Sequence, residues 1–316
     1  MKIVFMGTPD FSVPALNALV EGGHDVVLAV TQPDKPKGRG KAVQMTPVKT
    51  RALELEIPVA TPQKVRGNVD FLDQLRKLTP DVIVVIAYGQ ILTKDVLELP
   101  KYGCVNIHAS LLPKYRGAAP IQWAVINGEK VSGVTTMQMD VGLDTGDMLD
   151  RVEIELAPDE TGGSLFDKLS VAGGKLILET LSKIENGTAV PTPQTGESNY
   201  VGIISKAMGE INWNSSAIEI ERLIRGLDPW PSAYSYVDGK TLKFWKAKND
   251  QKPSAPGAKP GQIISMDKDS LTVQCGEGTL TITELQLEGK KRMDTGAFLR
   301  GYTLKTGMML GRGIEN

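Results

Sequence analysis

The chain is poor in cysteine and histidine, and it has no long apolar run. Its two cysteines, Cys104 and Cys275, are far apart and lie in unlike segments, which indicates buried reduced thiols rather than a disulfide or a zinc site. No stretch of about 18 apolar residues occurs, so no membrane span is expected. The first residues lead directly into a strand without a signal-peptide pattern, and we therefore expect a cytoplasmic location.

A strong charge of either sign is also missing. The net charge of −1 over 316 residues does not by itself predict a nucleic-acid-binding protein. Residues 209–316 hold 15 basic and 13 acidic side chains, a balance of +2, whereas residues 1–208 have a balance of −3. This small asymmetry leaves nucleic-acid binding open, because a basic stripe can lie on a nearly neutral domain.

Several common binding motifs are absent. The turn after the first predicted strand has Gly7 followed by Thr-Pro-Asp instead of the G-x-G-x-x-G pattern, so a nicotinamide or flavin dinucleotide site of the usual kind is not expected. The sequence also lacks a P-loop, a Ser-His-Asp arrangement and a set of metal ligands with recognisable spacing. We therefore expect no bound metal.

Short apolar strands alternate with helices in the first half of the chain. Strands are predicted at Lys2–Met6, Val26–Val30, Ile57–Ala60, Asp81–Tyr88 and Gly103–His108, and helices at Asp70–Leu78, Ile91–Leu99 and Thr161–Glu185. The run "DVIVVIAY" is almost continuously apolar, which is typical of a parallel strand buried on both faces. These patterns predict an α/β fold with a doubly wound, mostly parallel, Rossmann-like sheet, and a site at the carboxyl ends of its strands.

The composition changes after residue 188. The stretch "NGTAVPTPQTGES" is rich in proline, threonine and glycine and predicts a linker. Beyond it, Ser216 and Glu219 fit a helix-capping box, and Asp238-Gly239 fits a two-residue hairpin turn between short strands. We therefore predict a catalytic-type domain at 1–188, a linker at 189–208, and a small OB-like β-barrel at 209–316.

The stretch "VNIHASLLPKYRGAAP" places an amide and an imidazole at the end of a predicted strand. Asn106 and His108 are two residues apart and therefore lie on one side of the strand. Both residues also have a structural explanation, because asparagine favours turns and a lone histidine is more often structural than catalytic. Asp144, in "MQMDVGLDTGDM", lies beside glycines as turn residues often do, and Asp140 and Asp147 are equally eligible by composition.

Asparagine, histidine and aspartate together indicate a particular chemistry. Asparagine can donate an N–H to a developing oxyanion, histidine can transfer a proton or donate a second hydrogen bond, and aspartate can support the imidazole. Since neither a protein nucleophile nor a metal is evident, the nucleophile has to come from the substrate. Acyl transfer to a substrate amine fits this set of groups.

Two segments, "NIHASLLPKYRGAAPI" and "GVTTMQMDVGLDTGDML", resemble the folate-dependent formyltransferases. "GTPDFSVPAL", "TQPDKPKGRGK", "VVIAYGQIL" and "DPWPSAY" extend the resemblance over nearly the whole chain, and the GRGK loop with the predicted barrel favours the members that act on tRNA. The resemblance implies 10-formyltetrahydrofolate as donor and the α-amine of methionine on initiator tRNA as acceptor. It also implies Asn106, His108 and Asp144 as catalytic residues, a monomer, and no membrane partner.

The resemblance further implies two binding sites. The residues implied for folate are Ser110, Leu111, Leu112, Pro113, Ala87, Tyr88, Gly89, Ile91, Leu92, Met139 and Asp140. The residues implied for tRNA are Lys35, Lys37, Arg39 and Lys41. Without the resemblance, this second segment is expected to be an ordinary solvated loop, although Arg39 has the planar fork that suits phosphate and base edges.

Three other functions compete with this one. Formyl transfer to an amino sugar nucleotide would use the same N-terminal chemistry, and a formyltetrahydrofolate hydrolase would use water as acceptor. A non-catalytic tRNA-binding protein on a degenerate enzyme fold is a third hypothesis, against which the presence of Asn106, His108 and Asp144 argues.

Overall fold

The computed structural model describes residues 1–37, 42–250 and 253–312, which form two compact units. The N-terminal unit comprises residues 1–120, 131–155 and 166–201. The C-terminal unit comprises residues 121–130, 156–165 and those from 202 onward. The two short segments that the C-terminal unit takes from the first half of the chain have no composition signal in the sequence.

The N-terminal unit contains both long and very short strands. In chain order they are β1 (Lys2–Gly7), β2 (Asp25–Val30), β3 (Lys35–Lys37), β4 (Ala42–Gln44), β5 (Val59–Ala60), β6 (Val82–Ile86), β7 (Cys104–His108), β8 (Arg116–Gly117), β9 (Val131–Gln138), β10 (Met148–Glu155) and β11 (Tyr200–Val201). The helices within the described residues are α1 (Val13–Glu21), α2 (Pro47–Glu54), α3 (Val69–Leu78), α4 (Lys94–Leu97), α5 (Pro120–Ile126), α6 (Gly162–Glu185), α7 (Ala217–Gly226) and α8 (Thr295–Gly301), with short 3-10 helices at Asp10–Ser12 and Lys206–Gly209.

Seven strands of the N-terminal unit form one sheet in the order β10-β9-β7-β6-β1-β2-β5. The five strands from β7 to β5 are parallel, whereas β9 and β10 are antiparallel to their neighbours. All five residues of β6 are buried, as expected for a parallel strand covered on both faces. The predicted α/β fold with a mostly parallel sheet is therefore confirmed.

One predicted helix of this unit is much shorter than its pattern indicated. The sequence predicts a helix at Ile91–Leu99, but α4 begins only after Thr93, whose backbone is extended (φ −81°, ψ 159°). Ile91 is 82% exposed, whereas Leu92 packs in the core beside Val96. Because only part of the apolar set is buried, the segment from Gly89 to Thr93 follows an irregular path at the end of β6.

The C-terminal unit is built on an antiparallel sheet. Its strands are β12 (Ala233–Val237), β13 (Lys240–Asn249), β14 (Ile263–Met266), β15 (Leu271–Gln274), β16 (Thr279–Leu287) and β17 (Met293–Asp294). They pair in the order β12-β13-β16-β15-β14, with β17 on β16. The capping box of Ser216 with Glu219 and the Asp238-Gly239 hairpin turn are both confirmed. Closure of this sheet into a barrel stays a prediction.

Both cysteines are buried free thiols, as the sequence predicted. Burial raises the pKa of each from 9.0 to about 12. Between about pH 9 and pH 12, the folded protein therefore keeps protons on both thiols that the unfolded chain has released. The contribution of the thiols to the free energy of unfolding has its full value below about pH 9 and decreases as the pH rises toward 12.

We expect iodoacetamide at pH 8.5 to alkylate Cys104 and Cys275 in the folded protein about a thousandfold more slowly than in urea-unfolded protein. The reason is that three pKa units lower the thiolate fraction by about that factor, before any steric protection is counted. Mass spectrometry of timed samples measures both rates. Equal rates in the two states would show that the thiols are accessible.

None of the helices that the structure describes has both the length and the apolar character needed to cross a membrane.

Candidate functional site

The candidate site begins at the carboxyl end of β7. Asn106 and His108 are 9% and 6% exposed and lie on the same face of this strand. β7 is flanked by β6, through Val85 opposite Asn106, and by β9, through Thr135 opposite His108. The sheet therefore places Asn106 near the end of β6 and His108 beside the middle of β9.

The two ring nitrogens of His108 have different partners. Nε2 lies 2.9 Å from the backbone oxygen of Tyr115, and Nδ1 lies 3.7 Å from Oδ1 of Asp144. A carbonyl oxygen can only accept a hydrogen bond, so Nε2 carries the hydrogen in the neutral ring. Nδ1 is then the nitrogen that can take up a proton, and it faces a carboxylate.

Asp144 is held in place by its own loop and by the loop after β7. Its backbone is left-handed, with φ of 54°, which is uncommon for a residue other than glycine. Its Oδ2 accepts a 2.8 Å hydrogen bond from the backbone N–H of Gly117. One carboxylate oxygen therefore binds backbone, and the other is directed at His108.

The structure distinguishes the three aspartates that composition could not. Asp140 is exposed, and its Oδ1 accepts hydrogen bonds from Gly142 and Thr145 in its own turn. Asp147 is also exposed. Among the described residues, Asp144 is the one of the three whose carboxylate lies beside the His108 ring, at 3.7 Å.

The Asn106 side chain has no hydrogen-bond partner within the described part of the chain, although the residue is almost fully buried. Amides of largely buried residues are usually hydrogen-bonded to protein, so a free one is unusual. Its N–H groups are therefore available to a ligand at the end of β7.

The loop after β7 is internally hydrogen-bonded. The Ser110 hydroxyl donates to the Lys114 carbonyl at 2.6 Å, and the Thr135 hydroxyl donates to the Ser110 carbonyl at 2.7 Å. The peptide before Pro113 is cis, and Leu112 is buried. Ser110 and Leu112 thus support the loop from within, while Leu111 and Pro113 are partly exposed. Contact of these four residues with folate stays a prediction.

The segment after β6 also contains both exposed and buried residues. Ala87, Gly89 and Ile91 are exposed, whereas Tyr88 and Leu92 lie in the core. Ala87 and Gly89 have positive φ angles of 46° and 85°. Burial raises the pKa of Tyr88 to about 12, and its hydroxyl has no partner among the described residues. The exposed members can offer side chains or backbone to a ligand, and the buried ones only backbone.

The last two predicted folate residues follow β9. Met139 is half-buried, and its backbone N–H donates to the carbonyl of Cys104 on β7 at 2.8 Å. Asp140 is exposed at the start of the loop that contains Asp144. Because β9 is antiparallel to β7, with Gln138 opposite Val105, Met139 and Asp140 follow the end of β9 beside the start of β7, whereas the other predicted folate residues follow the carboxyl ends of β6 and β7.

The predicted tRNA segment is only partly described. Lys35 is exposed in β3, which pairs with β4, and Lys37 ends β3. Arg39 and Lys41 lie outside the described residues. Next to β3, Lys49 of α2 forms a 2.6 Å ion pair with Asp34, a contact that no pattern in the sequence indicated.

The sequence prediction also missed supporting residues around His108 and Asp144. Tyr115 and Gly117 contribute only backbone atoms, which no side-chain pattern reveals. Gln194 donates to the Asp144 carbonyl at 2.9 Å from a stretch that composition predicted as linker. No group of three or more His, Cys, Asp or Glu side chains suited to a metal ion occurs within residues 1–37, 42–250 and 253–312.

The chain matches two protein-family models. Residues 1–181 match the model described as "Formyl transferase", and residues 203–303 match "Formyl transferase, C-terminal domain". A methionyl-tRNA formyltransferase from Agathobacter rectalis is 57% identical over 97% of this chain and 98% of that protein. A methionyl-tRNA formyltransferase from Lachnospira eligens is 53% identical over 98% of this chain and its own full length.

Solved structures with the same fold are more distant in sequence. An N-formyltransferase from Helicobacter canadensis, in complex with folinic acid and dTDP-3-aminofucose, has a TM-score of 0.66 at 19% identity, over 93% of this chain and 100% of that one. HypX from Aquifex aeolicus, in complex with tetrahydrofolic acid, has a TM-score of 0.60 at 18% identity, over 98% of this chain and 50% of that one. At these identities the likeness shows the fold alone.

Proposed function

Since the chain belongs to the formyl transferase family, we propose that it transfers the formyl group of 10-formyltetrahydrofolate to the α-amine of methionine on initiator tRNA. The observation that carries this proposal is the unpartnered side-chain amide of the largely buried Asn106, on the same strand face as His108, which pairs with Asp144. These groups can stabilise and deprotonate, but none of them is a strong nucleophile. They suit a reaction in which the substrate supplies the nucleophile.

The acceptor amine needs little activation. An α-amino group has a pKa of about 7.7–8.0 in model peptides, so an appreciable neutral fraction exists near pH 7. Its lone pair attacks the formyl carbon, and the carbonyl electrons move onto the formyl oxygen. The main energetic cost is therefore the negative charge on that oxygen.

Asn106 can stabilise that charge. Its free N–H group can donate to the formyl oxygen as charge develops there, from a residue that is 9% exposed. Removal of one such donor typically costs about 3–4 kcal/mol of transition-state stabilisation. The donor has no protein partner, so no internal hydrogen bond has to break first.

His108 transfers the proton. When the new C–N bond forms, the amine nitrogen must lose a proton, and the leaving nitrogen N10 must gain one as its C–N bond breaks. Nδ1 of His108 is the ring nitrogen free for this transfer, because Nε2 is bonded to the Tyr115 carbonyl. Asp144, 3.7 Å away, stabilises the imidazolium that exists between the two steps.

The folate donor is proposed to lie between the segments that follow β6, β7 and β9. Exposed Ile91, Leu111 at the edge of its loop, and half-buried Met139 offer apolar surface to a flat ring. The backbone around Ala87 and Gly89 offers hydrogen-bonding groups to the polar ring edge. This arrangement directs the formyl end toward Asn106 and His108.

The acceptor tRNA is proposed to contact the 35–41 segment and the C-terminal unit. Lys35, Lys37, Arg39 and Lys41 supply four positive charges within seven residues. Phosphate contacts of this kind attract all tRNAs, whereas selection of the initiator needs contacts specific to its acceptor end. Arg39 is the residue best suited to such contacts, because its fork can bond two acceptors at once.

A comparison of acceptors tests the function. Purified protein is incubated with 10-formyltetrahydrofolate and, in separate reactions, initiator Met-tRNA, an amino sugar nucleotide, or water alone. We expect formyl transfer to Met-tRNA to exceed the other two reactions by several orders of magnitude in kcat/KM. Preferred transfer to the sugar amine, or release of formate without tRNA, would replace the proposal with the corresponding rival. Tight tRNA binding without turnover would favour the non-catalytic hypothesis.

Arg39→Lys is expected to lower kcat/KM for initiator Met-tRNA by about 10-fold or more, since the charge remains but the bidentate fork is lost. Lys37→Ala, the matched control for charge, should weaken binding of initiator and elongator tRNA alike. Steady-state kinetics with both tRNAs measures the difference. Wild-type behaviour of Arg39→Lys with both tRNAs would mean that the segment contributes charge only.

A further inference from the structure

Residues 192–201, which we call the return segment, are hydrogen-bonded to the N-terminal unit at both ends. Thr192 forms two backbone hydrogen bonds with Met148, of 2.8 and 2.9 Å, at the start of β10. Tyr200–Val201 pairs in parallel with Arg116–Gly117, which lies in the loop after β7. A Cβ atom on Gly117 would lie 2.5 Å from the Val201 oxygen, so the two backbones are in close contact. The return segment is therefore part of this unit's packed structure.

Within residues 191–200, every residue except Gln194 is exposed. Its Nε2 donates to the carbonyls of Asp144 at 2.9 Å and Gly146 at 2.8 Å. Its Oε1 accepts from Nε and Nη2 of Arg116, at 3.1 and 2.8 Å. Both N–H groups and both lone pairs of the amide are thus used. One side chain joins the loop after β9 to the loop after β7.

These hydrogen bonds act on the backbone that positions the Asp144 carboxylate. A left-handed conformation at a residue other than glycine persists only where its surroundings hold it. Gln194 binds the Asp144 carbonyl, and the Gly117 N–H binds its carboxylate. Together they fix the orientation that places Oδ1 3.7 Å from His108.

The return segment also reaches the other partner of His108. The side-chain oxygen of Asn199 accepts from the Tyr115 N–H at 2.6 Å, and its carbonyl accepts from the Arg116 N–H at 3.0 Å. Tyr115 in turn accepts the hydrogen bond of His108 Nε2. Both groups that face the imidazole are therefore held by residues of the return segment.

We propose that Gln194 is a positioning residue for the His108–Asp144 pair, and that the return segment belongs to the catalytic site. The inference rests on the proposed function, because it assigns this pair to formyl transfer. A residue that sets the geometry of catalytic groups should affect turnover more than substrate binding. Misplacement of a reacting group by about 1 Å can cost about 100-fold in rate.

The first test compares glutamine substitutions. Gln194→Met keeps the length of the side chain but removes its hydrogen bonds, and Gln194→Glu keeps acceptors for Arg116 but removes both N–H donors. For each variant we expect kcat to fall about 10- to 100-fold while KM for folate and for Met-tRNA changes less than about threefold. Gln74→Met is the control, because Gln74 is an exposed glutamine of α3, outside the proposed folate and tRNA contacts. Its kcat should equal that of wild type.

The second test measures whether Gln194 acts through Asp144. In an Asp144→Asn background, Gln194→Met should lower single-turnover rates by less than about threefold, because the group that it positions is already lost. Losses that multiply would show a role independent of Asp144 and would overturn the inference. If Gln194→Met does not fold, Gln194→Glu carries the same test.

The activity of the wild-type protein distinguishes a failure of the proposed function from a failure of the positioning role. Wild type that does not formylate Met-tRNA contradicts the proposed function, whatever the variants do. Wild type that does so, together with wild-type kcat in both Gln194 variants, contradicts the positioning role alone.

Discussion

Asn106→Ala is expected to lower kcat for formyl transfer by about 100- to 1000-fold, the usual loss on removal of one oxyanion donor. The melting temperature should fall by no more than about 2 °C, because the amide that is removed has no hydrogen-bond partner in the described structure. The variant should therefore lose activity while it keeps its stability. A loss of activity with a matching loss of stability would instead indicate a structural asparagine.

The control for this variant is Asn186→Ala, which replaces an exposed asparagine near the end of α6. It should keep wild-type kcat and melting temperature. Single-turnover rates at saturating substrates are the appropriate measurement, since they exclude product release. Near-wild-type turnover of Asn106→Ala would remove the proposed oxyanion donor.

His108→Ala and Asp144→Asn are each expected to lower kcat by at least about 100-fold. The first removes the group that carries the proton, and the second replaces the carboxylate beside Nδ1 by an uncharged amide that cannot stabilise an imidazolium. Because the two residues act as a pair, the double variant should be little worse than the more damaging single variant.

Two matched controls exist in the chain. His24→Ala removes the other histidine, which lies by the N-terminus, and should leave kcat unchanged. Asp140→Asn alters an exposed aspartate of the Asp144 loop and should be far milder than Asp144→Asn. If Asp140→Asn is instead the crippling change, the carboxylate has been assigned to the wrong residue.

The parts of the fold that follow from local physics could be predicted from the sequence. The apolar run of β6 predicted a strand buried on both faces, and Asp238-Gly239 predicted a hairpin turn. The helix expected at Ile91–Leu99 was mostly wrong, because its apolar residues divide between core and surface instead of forming one buried face. Periodicity reports burial only where tertiary contacts agree with it.

The candidate site was predictable to the extent that it uses distinctive side chains. Asn106 and His108 follow from their position on β7, whereas the choice of Asp144 over Asp140 depends on a turn that only coordinates reveal. Gln194 could not be predicted, since a proline- and threonine-rich stretch has the composition of a linker whether or not it is bonded to a loop. Backbone carbonyls and amides, on which much of this site depends, are the same for every sequence.

We propose that formyl passes directly from the folate donor to the tRNA amine in the site formed by Asn106, His108 and Asp144. Rapid-quench single turnover with donor labelled at the formyl carbon, with wild type and Asn106→Ala side by side, measures this step. We expect label to leave the donor and to appear on Met-tRNA at one rate, with none bound to protein at any time, and Asn106→Ala to slow this single step by about 100-fold or more. Label that first appears on the protein and then passes to tRNA would contradict direct transfer, and an unchanged rate in Asn106→Ala would contradict the site.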